Sequence, residues 1–267
     1  MVRGVIWAHM AGRTECEEAK LRAREAFRAG SSAAWPVRLL CSAAGADAFS
    51  CLWAYFRWAD DIVDAPRRVR ADAMAFVAVQ REVLGGRRGA SCPQEWALVE
   101  AIATPEMGDA LRSAAERMMD ALAWDAARGE TAPREHELTA QIARIGDAYA
   151  DAIWTATGEA GSAPEVGRQL ARLATRAHHL RDLAVDFQLG YCNISIEEME
   201  SWPDGELTNE NLTRWAKRTA AETDAAFSAA LPGLGALPWR PQTLYSMLAW
   251  SYRRILTRPI QLPVLPS

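Results

Sequence analysis

The chain has 267 residues, half of them hydrophobic, and a formal net charge of −4 at pH 7. This length fits a single domain, because one hydrophobic core stops growing at about 250–300 residues. The slight acidity argues against a nucleic-acid partner, since general nucleic-acid binders usually carry a basic face.

Helical patterns run along the whole chain, because Ala, Leu, Arg and Glu dominate and no run of alternating β-branched residues occurs. One all-α domain covering residues 1–267 is therefore predicted, with irregular tails at 1–14 and 258–267. A break is expected near Gly45, inside the second predicted helix. The predicted helices cover residues 15–29, 33–64, 70–84, 93–103, 107–128, 134–158, 164–189, 208–229 and 240–257.

The compartment is predicted from the cysteines and from the apolar stretches. The five cysteines are odd in number and form no C-x-x-C pair, which argues against a disulfide framework or a zinc site. No long apolar run precedes the acidic stretch 15–18, so no signal peptide is expected. The most apolar stretch, 39–56, contains Asp47 and suits a buried helix better than a membrane span. We expect a cytoplasmic monomer or homodimer with at most peripheral membrane contact.

The first candidate site is the segment Arg57-Trp-Ala-Asp60-Asp61-Ile-Val-Asp64. Asp60 and Asp64 are four residues apart and therefore project from the same helical face. The flanking residues are apolar, and buried carboxylates without a partner are costly. A Mg²⁺ ion would resolve this conflict, because it prefers carboxylate and phosphate oxygens.

A second pair of aspartates lies about 120 residues further on, in His178-His179-Leu-Arg181-Asp182-Leu-Ala-Val-Asp186. A single pair of this kind is usually a solvated helix face, with the nearby arginine in a weak intrahelical ion pair. Two pairs in apolar surroundings, each next to an arginine, favour a metal site instead. In a helical bundle their faces can oppose each other across a cavity.

These segments resemble the squalene/phytoene synthase family. The family's first motif reads roughly Y-A-F-C-R-x-A-D-D-I-V-D, and residues 53–64 follow it. Its second motif, N-I-x-R-D-x-x-x-D, is similar to residues 178–186. Tyr252-Arg-Arg-Ile-Leu256 resembles a third segment, Y-R-x-I-L. The resemblance extends from about residue 25 to residue 257.

The resemblance implies an isoprenoid synthase-type helical bundle with a central apolar cavity, in which Mg²⁺ binds the diphosphate of a prenyl substrate. The implied metal ligands are Asp60, Asp64, Asp182 and Asp186, and these four with Tyr252 are the predicted catalytic residues. The predicted substrate-binding residues are Arg57, Asp61, Arg181, Ser31, Trp53, Gln141, His178 and Trp154. Metal ions and guanidinium groups would stabilise the leaving diphosphate, and aromatic faces would stabilise the allylic cation.

Several positions depart from the family pattern. His178 replaces an asparagine, Gln141 replaces a tyrosine, and residues 191–195 replace the basic-aromatic segment R-x-Y-L-P. The lost arginine would have given a bidentate phosphate contact. We therefore expect one prenyl diphosphate, of undetermined chain length, and a second small-molecule acceptor that is aromatic rather than prenyl, as in secondary metabolism.

Three alternatives stay open. The first is head-to-head condensation of two prenyl diphosphates to squalene, dehydrosqualene or phytoene. The second is a cyclase or hydrolase that acts on one prenyl diphosphate. The third is a non-catalytic binding protein, which would not need both aspartate pairs. His178 could join the metal site or act as a base, but an ordinary core or surface histidine is the simpler reading.

Overall fold

The computed structural model describes residues 2–65, 69–104, 107–203 and 205–263, with side chains from residue 15 onward. Within these ranges the chain forms eleven α-helices, one short 3₁₀ helix and no strand, which confirms the all-α prediction. The helices are α1 (Val2–Gly30), α2 (Ala34–Leu40), α3 (Ala43–Val63), α4 (Arg70–Leu84), α5 (Pro93–Ile102), α6 (Gly108–Arg128), α7 (Glu135–Ala156), α8 (Glu165–Gln188), α9 (Ile196–Glu200), α10 (Asn209–Ala230) and α11 (Trp239–Leu256), with the 3₁₀ helix at Leu231–Ala236.

The predicted break near Gly45 lies a few residues earlier in the structure. Ser42 has extended backbone angles, and its hydroxyl accepts a hydrogen bond from the Gly45 N–H at 3.0 Å, so it is the N-cap of α3. Gly45 is buried inside this helix. A Cβ atom there would lie 2.1 Å from the carbonyl oxygen of Ala156. This glycine therefore permits close packing of α3 on α7 rather than ending a helix.

The two ends of the chain differ from each other. The prediction of an irregular segment at 1–14 is wrong for residues 2–14, because α1 begins at Val2. No proline interrupts the first 35 residues, so the helix continues toward the N-terminus. Residues 258–263 follow α11 without regular secondary structure. Met1 and residues 264–267 lie outside the described residues.

The helices pack around α7, which contacts α6 on one side and α8 on the other. Helix α3 packs against α1, α5 and α7, and α11 packs against α8. The main core joins α1, α3 to α8 and α11, while a smaller apolar cluster around Leu183 and Leu212 lies between α8 and α10. This arrangement places the last turn of α3 opposite the second half of α8. No described helix has both the length and the apolar character needed to cross a membrane.

Candidate active site

Both aspartate pairs reach the same region of the fold. Asp60 lies in the last turn of α3, and Asp64 is the C-cap residue of that helix, with its N–H bonded to the Asp60 carbonyl at 2.8 Å. Asp182 and Asp186 lie on successive turns of α8. Burial raises the pKa of Asp186, and the negative charges of Asp182 and then Asp64 raise it further. The two motifs, distant in sequence, therefore interact electrostatically.

Three of these carboxylates hold protons more tightly than usual. Burial and then the charge of Asp64 raise the pKa of Asp60 to about 8. Burial and then Asp125 raise the pKa of Asp64 to about 6. Burial, followed by the neighbouring charges, raises the pKa of Asp186 to about 7, although a hydrogen bond from Asn193 opposes this. Crowded carboxylates of this kind favour a cation among them.

Asp60 is surrounded by protein atoms and still reachable by solvent. Its side chain remains 45% exposed, while the protein atoms around it raise its pKa. Both observations fit a carboxylate that lines a concave surface. Arg57 and Asp61 lie further out, pair with each other at 3.0 Å, and are each more than half exposed. We therefore place these two residues at the rim of the site.

Asp182 has a different environment from the other three carboxylates. Arg181 donates two hydrogen bonds to it, each at 2.6 Å, and His178 Nε2 lies 2.9 Å from it. Burial acts to raise its pKa, but the hydrogen bonds from Arg181 and then His178 hold that pKa well below its usual range. His178 Nδ1 also lies 3.4 Å from the hydroxyl of Tyr252. The structure thus brings these four predicted residues into one cluster.

A fifth aspartate, Asp125 on α6, was not predicted from the sequence. It is half-buried, and its charge acts on Asp60, Asp64 and Asp186. Burial raises the pKa of Asp125 itself, while Arg128 lowers it. Gln141 donates one hydrogen bond to Asp125 at 2.9 Å and another to the Ala121 carbonyl at 3.0 Å. The only sequence signal was an acid-arginine pair three residues apart within an alanine-rich helix. Gln141, which stands where the family pattern has a tyrosine, therefore holds the side chain of Asp125 in place.

The segment that follows the second motif contacts both aspartate pairs. Tyr191 hydrogen bonds to Asp64, and Asn193 donates to Asp186 at 2.8 Å. Arg128 holds this segment in place through the Cys192 carbonyl at 2.9 Å and the Asn193 side-chain oxygen at 2.6 Å. We call Arg128, Tyr191 and Asn193 the loop clamp.

Arg128 is the centre of the loop clamp. Its side chain is only 8% exposed and pairs with Asp125 at 3.1 Å. The guanidinium also lies over the rings of Trp124, at 4.5 Å, and Tyr191, at 5.3 Å. It therefore places a guanidinium group beside Tyr191. Tyr191 belongs to residues 191–195, the segment in which the family pattern has an arginine. This compensation was invisible in the sequence because Arg128 comes from a different helix.

Two further side chains line the same region. Burial and then Tyr252 raise the pKa of Tyr149, with a smaller effect from Asp60, so this tyrosine lies between α11 and the end of α3. Burial and then His178 lower the pKa of His179 to about 3. His179 is therefore neutral at physiological pH. The region thus combines neutral aromatic surfaces with its acidic residues.

Three predicted substrate-binding residues lie in other surroundings. The Ser31 hydroxyl accepts a hydrogen bond from the Ala33 N–H at 3.2 Å, in the turn between α1 and α2. The ring of Trp53 packs against Phe27 at 5.3 Å. Trp154 is 8% exposed and donates to the Ala160 carbonyl at 2.9 Å. Local packing and turn geometry account for these contacts, and a substrate role for the three stays a prediction.

The carboxylates suit a metal that is held jointly with a ligand. Among the described side chains, no three from His, Cys, Asp and Glu lie together closely enough to form a metal site by themselves. Mg²⁺ commonly uses one or two carboxylates, water and substrate phosphate oxygens rather than an all-protein cage. Facing carboxylates with raised pKa values fit this mode of binding.

Comparison with known proteins agrees with this description. The squalene/phytoene synthase family model matches residues 27–259. Squalene synthase HpnC from Alicyclobacillus acidocaldarius is similar in structure, with a TM-score of 0.66, 18% identity and coverage of 91% of this chain and 93% of that one. A ligand-bound dehydrosqualene synthase has a TM-score of 0.64 and 14% identity, covering 91% and 86% respectively.

A variant of cucumene synthase is also similar, with a TM-score of 0.56, 15% identity and coverage of 90% of this chain and 92% of that one. At these identities the structural likenesses establish the fold alone. No curated protein sequence is similar enough to match. The fold is that of the all-α isoprenoid synthases. Because the family match spans most of the chain, the protein belongs to the squalene/phytoene synthase family.

Proposed function

We propose that this protein is a Mg²⁺-dependent prenyltransferase that ionises an allylic prenyl diphosphate. The observation that carries the proposal is that one short segment contacts both motifs, since Tyr191 hydrogen bonds to Asp64 of α3 and Asn193 donates to Asp186 of α8 at 2.8 Å. Carboxylates from two elements that face each other can hold cations around one diphosphate. Family membership supports the substrate class.

Each group of residues has its own task in this scheme. Asp60, Asp64, Asp182 and Asp186 would hold the Mg²⁺ ions. When bound, Mg²⁺ supplies positive charge that stabilises a leaving diphosphate. Arg57 lies at the rim, where its guanidinium is more than half exposed and pairs with the exposed Asp61 at 3.0 Å. It would exchange this weak surface pair for phosphate oxygens when a diphosphate binds.

The walls of the site would protect the allylic cation. Tyr149 and Tyr252 present half-buried phenol rings beside Asp60 and His178, and aromatic faces stabilise cations. His179 stays neutral and adds no positive charge to the site. The loop clamp fixes Asp64 and Asp186 before substrate arrives, because Tyr191 and Asn193 already contact them. Such preorganisation reduces the reorganisation needed during reaction.

The identity of the acceptor separates two candidate functions. Head-to-head condensation of two prenyl diphosphates is supported by the family match and by the squalene and dehydrosqualene synthases among the similar structures. This is the better supported of the two. The substrate would then be used twice, and the product would be a hydrocarbon.

Transfer to a non-prenyl, aromatic acceptor is the second candidate. Tyr191 lies in the segment where the family pattern has an arginine, and the nearby guanidinium of Arg128 already contacts Asp125, Asn193 and the Cys192 carbonyl. Fewer positive groups are therefore free to receive a second diphosphate. A neutral acceptor would need none of them.

The test is incubation of the purified protein with Mg²⁺ and farnesyl or geranylgeranyl diphosphate alone. Released diphosphate is measured together with the organic extract. A C30 or C40 hydrocarbon would support condensation and exclude the aromatic candidate. Diphosphate release that depends on an added electron-rich aromatic compound, with a prenylated product, would support the second candidate.

Variants test the ionisation step itself. Asp60→Asn and Asp182→Asn should each lower Mg²⁺-dependent diphosphate release by at least about 100-fold, since several kcal/mol of charge stabilisation is lost. Asp120→Asn is the matched control, because Asp120 is an exposed aspartate that pairs with Arg81 on the surface. Release at an undiminished rate from both site variants would refute the proposal.

A further inference from the structure

The outer surface formed by α2 and α11 exposes an unusual amount of aromatic side chain. Trp35 is 69% exposed, Trp239 is 62% exposed and Trp250 is 64% exposed, with Leu39 at 60%. Tryptophan is highly buried on average in soluble proteins. Three tryptophans exposed to this degree on neighbouring elements indicate a surface that meets a partner.

The exposed side chains belong to one continuous face. Helix α2 packs directly on α11. Cys41, the C-cap residue of α2, lies near Arg240, since burial raises the pKa of its thiol to about 11 while Arg240 lowers it. Trp239 and Trp250 are eleven residues apart on α11, which corresponds to about three turns and thus to one side of that helix. We call this surface the α2–α11 face.

The α2–α11 face is basic in a protein that is acidic overall. Segments 26–46 and 231–263, which contain both helices, include no Asp or Glu, whereas the whole chain has a net charge of −4. Arg240 lies over the ring of Trp239 at 5.4 Å, and Arg254 lies over the ring of Trp250 at 5.5 Å. The arginines of the two segments are Arg28, Arg38, Arg240, Arg253, Arg254 and Arg258.

A cleft opens beside Trp250, between α10 and α11. Its volume is about 410 Å³, and its walls include Leu231, Arg253 and Arg254. Arg253 is already paired with Asp224 at 2.6 Å, so Arg254 is the arginine left to meet an anion. An apolar wall next to an arginine suits a phosphate headgroup with its attached hydrocarbon.

We propose that the α2–α11 face docks the protein on the surface of an anionic lipid bilayer. Tryptophan is favoured at the membrane–water interface because its ring is apolar with one polar edge. Arginines near an anionic surface are attracted to its negative potential. A second copy of this chain fits the face less well, because segments 26–46 and 231–263 would present arginines to each other and no acidic residue of their own, while Asp224 beside the cleft is already paired with Arg253.

The opposite side of α11 belongs to the candidate active site. Tyr252 lies only two residues beyond Trp250, and its hydroxyl lies 3.4 Å from His178. One helix, about 10 Å in diameter, therefore separates the α2–α11 face from the aspartate site. Docking would place the site next to the bilayer. The proposal stands on the exposed surface and does not depend on the proposed reaction.

The experiment is sedimentation of the full chain with vesicles, without substrate or metal. Vesicles of phosphatidylcholine with about one third phosphatidylglycerol are compared with pure phosphatidylcholine, at low and high salt. We expect binding to the anionic vesicles that weakens as salt rises. Arg240→Gln/Arg254→Gln should weaken it about 25-fold, since each arginine near such a surface contributes about 1 kcal/mol. Trp239→Ser/Trp250→Ser should also weaken it strongly.

Matched controls keep this test decisive. Arg87→Gln/Arg88→Gln removes the same charge from an exposed loop on another part of the surface, and it should bind anionic vesicles like the unchanged protein. Melting curves establish that each variant is folded. Equal binding by all variants, or no binding to anionic vesicles, would overturn the proposal. The proposal would also be overturned if light scattering showed a dimer of the unchanged protein and a monomer for Trp239→Ser/Trp250→Ser. Diphosphate release is assayed separately with soluble substrate, so failure of one proposal leaves the other standing.

Discussion

Replacing Arg128 with methionine should destabilise the protein strongly, because the loop clamp depends on this one side chain. The guanidinium is 8% exposed and contacts Asp125, Asn193 and the Cys192 carbonyl within 3.1 Å. Breaking a buried ion pair by removing one partner costs about 3–5 kcal/mol. For a protein of this size each kcal/mol lowers the melting temperature by about 2–4 °C, so a loss of about 6–20 °C is expected.

The pH dependence of this loss distinguishes the buried pair from simple loss of packing. Without Arg128, the carboxylate of Asp125 has an unpaired negative charge, which it can remove by taking up a proton. Burial already raises its pKa and favours this protonation. Arg128→Met should therefore lose more stability at pH 8 than at pH 6, measured by calorimetry without metal. Asp125→Asn in the same chain should recover part of the loss. A melting temperature within about 2 °C of the unchanged protein would refute the reasoning, since that is the expected loss for an exposed pair. Arg81→Met, which breaks the exposed pair with Asp120, is the control.

Two further predictions concern stability. The pKa values of Asp60 and Asp186, raised to about 8 and about 7, mean that the metal-free folded protein retains protons that the unfolded chain releases above about pH 4. Its melting temperature should therefore fall as pH rises from 5 to 8, and Asp60→Asn should make that fall smaller. Asp182, with its low pKa, affects the pH dependence of stability only below about pH 4. A melting temperature that does not change between pH 5 and pH 8 would contradict this. Gly45→Ala should cost about 1–3 kcal/mol by overpacking, because its Cβ would lie 2.1 Å from a carbonyl oxygen of α7, whereas Gly89→Ala has open space and should melt normally.

The helices and the two aspartate pairs could be predicted from the sequence because both depend on local spacing. Residues 164–189 carry a helical pattern that begins at a proline, and the structure has α8 at Glu165–Gln188. Asp182 and Asp186 lie on successive turns of that helix, so their shared face follows from its period. The break before α3 was misplaced because Gly45 looked like a helix breaker. Its actual constraint, contact with α7, involves a residue more than 100 positions away.

The parts of the site that the sequence did not reveal depend on long-range contacts. Asp125 and Arg128 lie on α6 and meet the segment of Tyr191 and Asn193, more than 60 residues further along the chain. No period or spacing in the sequence records such a meeting. The replacement of the family arginine by Tyr191 was visible, but the guanidinium that Arg128 places beside it became apparent only in the structure.

The most direct test of the account is whether both motifs hold one metal–diphosphate complex. Binding of inorganic pyrophosphate with Mn²⁺ in place of Mg²⁺ can be measured by calorimetry and by electron paramagnetic resonance, for the unchanged protein, Asp60→Asn, Asp182→Asn and the double variant. We predict that pyrophosphate binds only with the metal, and that the double variant loses little more affinity than either single variant. Pyrophosphate binding without metal, or losses that simply add, would contradict a shared complex between α3 and α8.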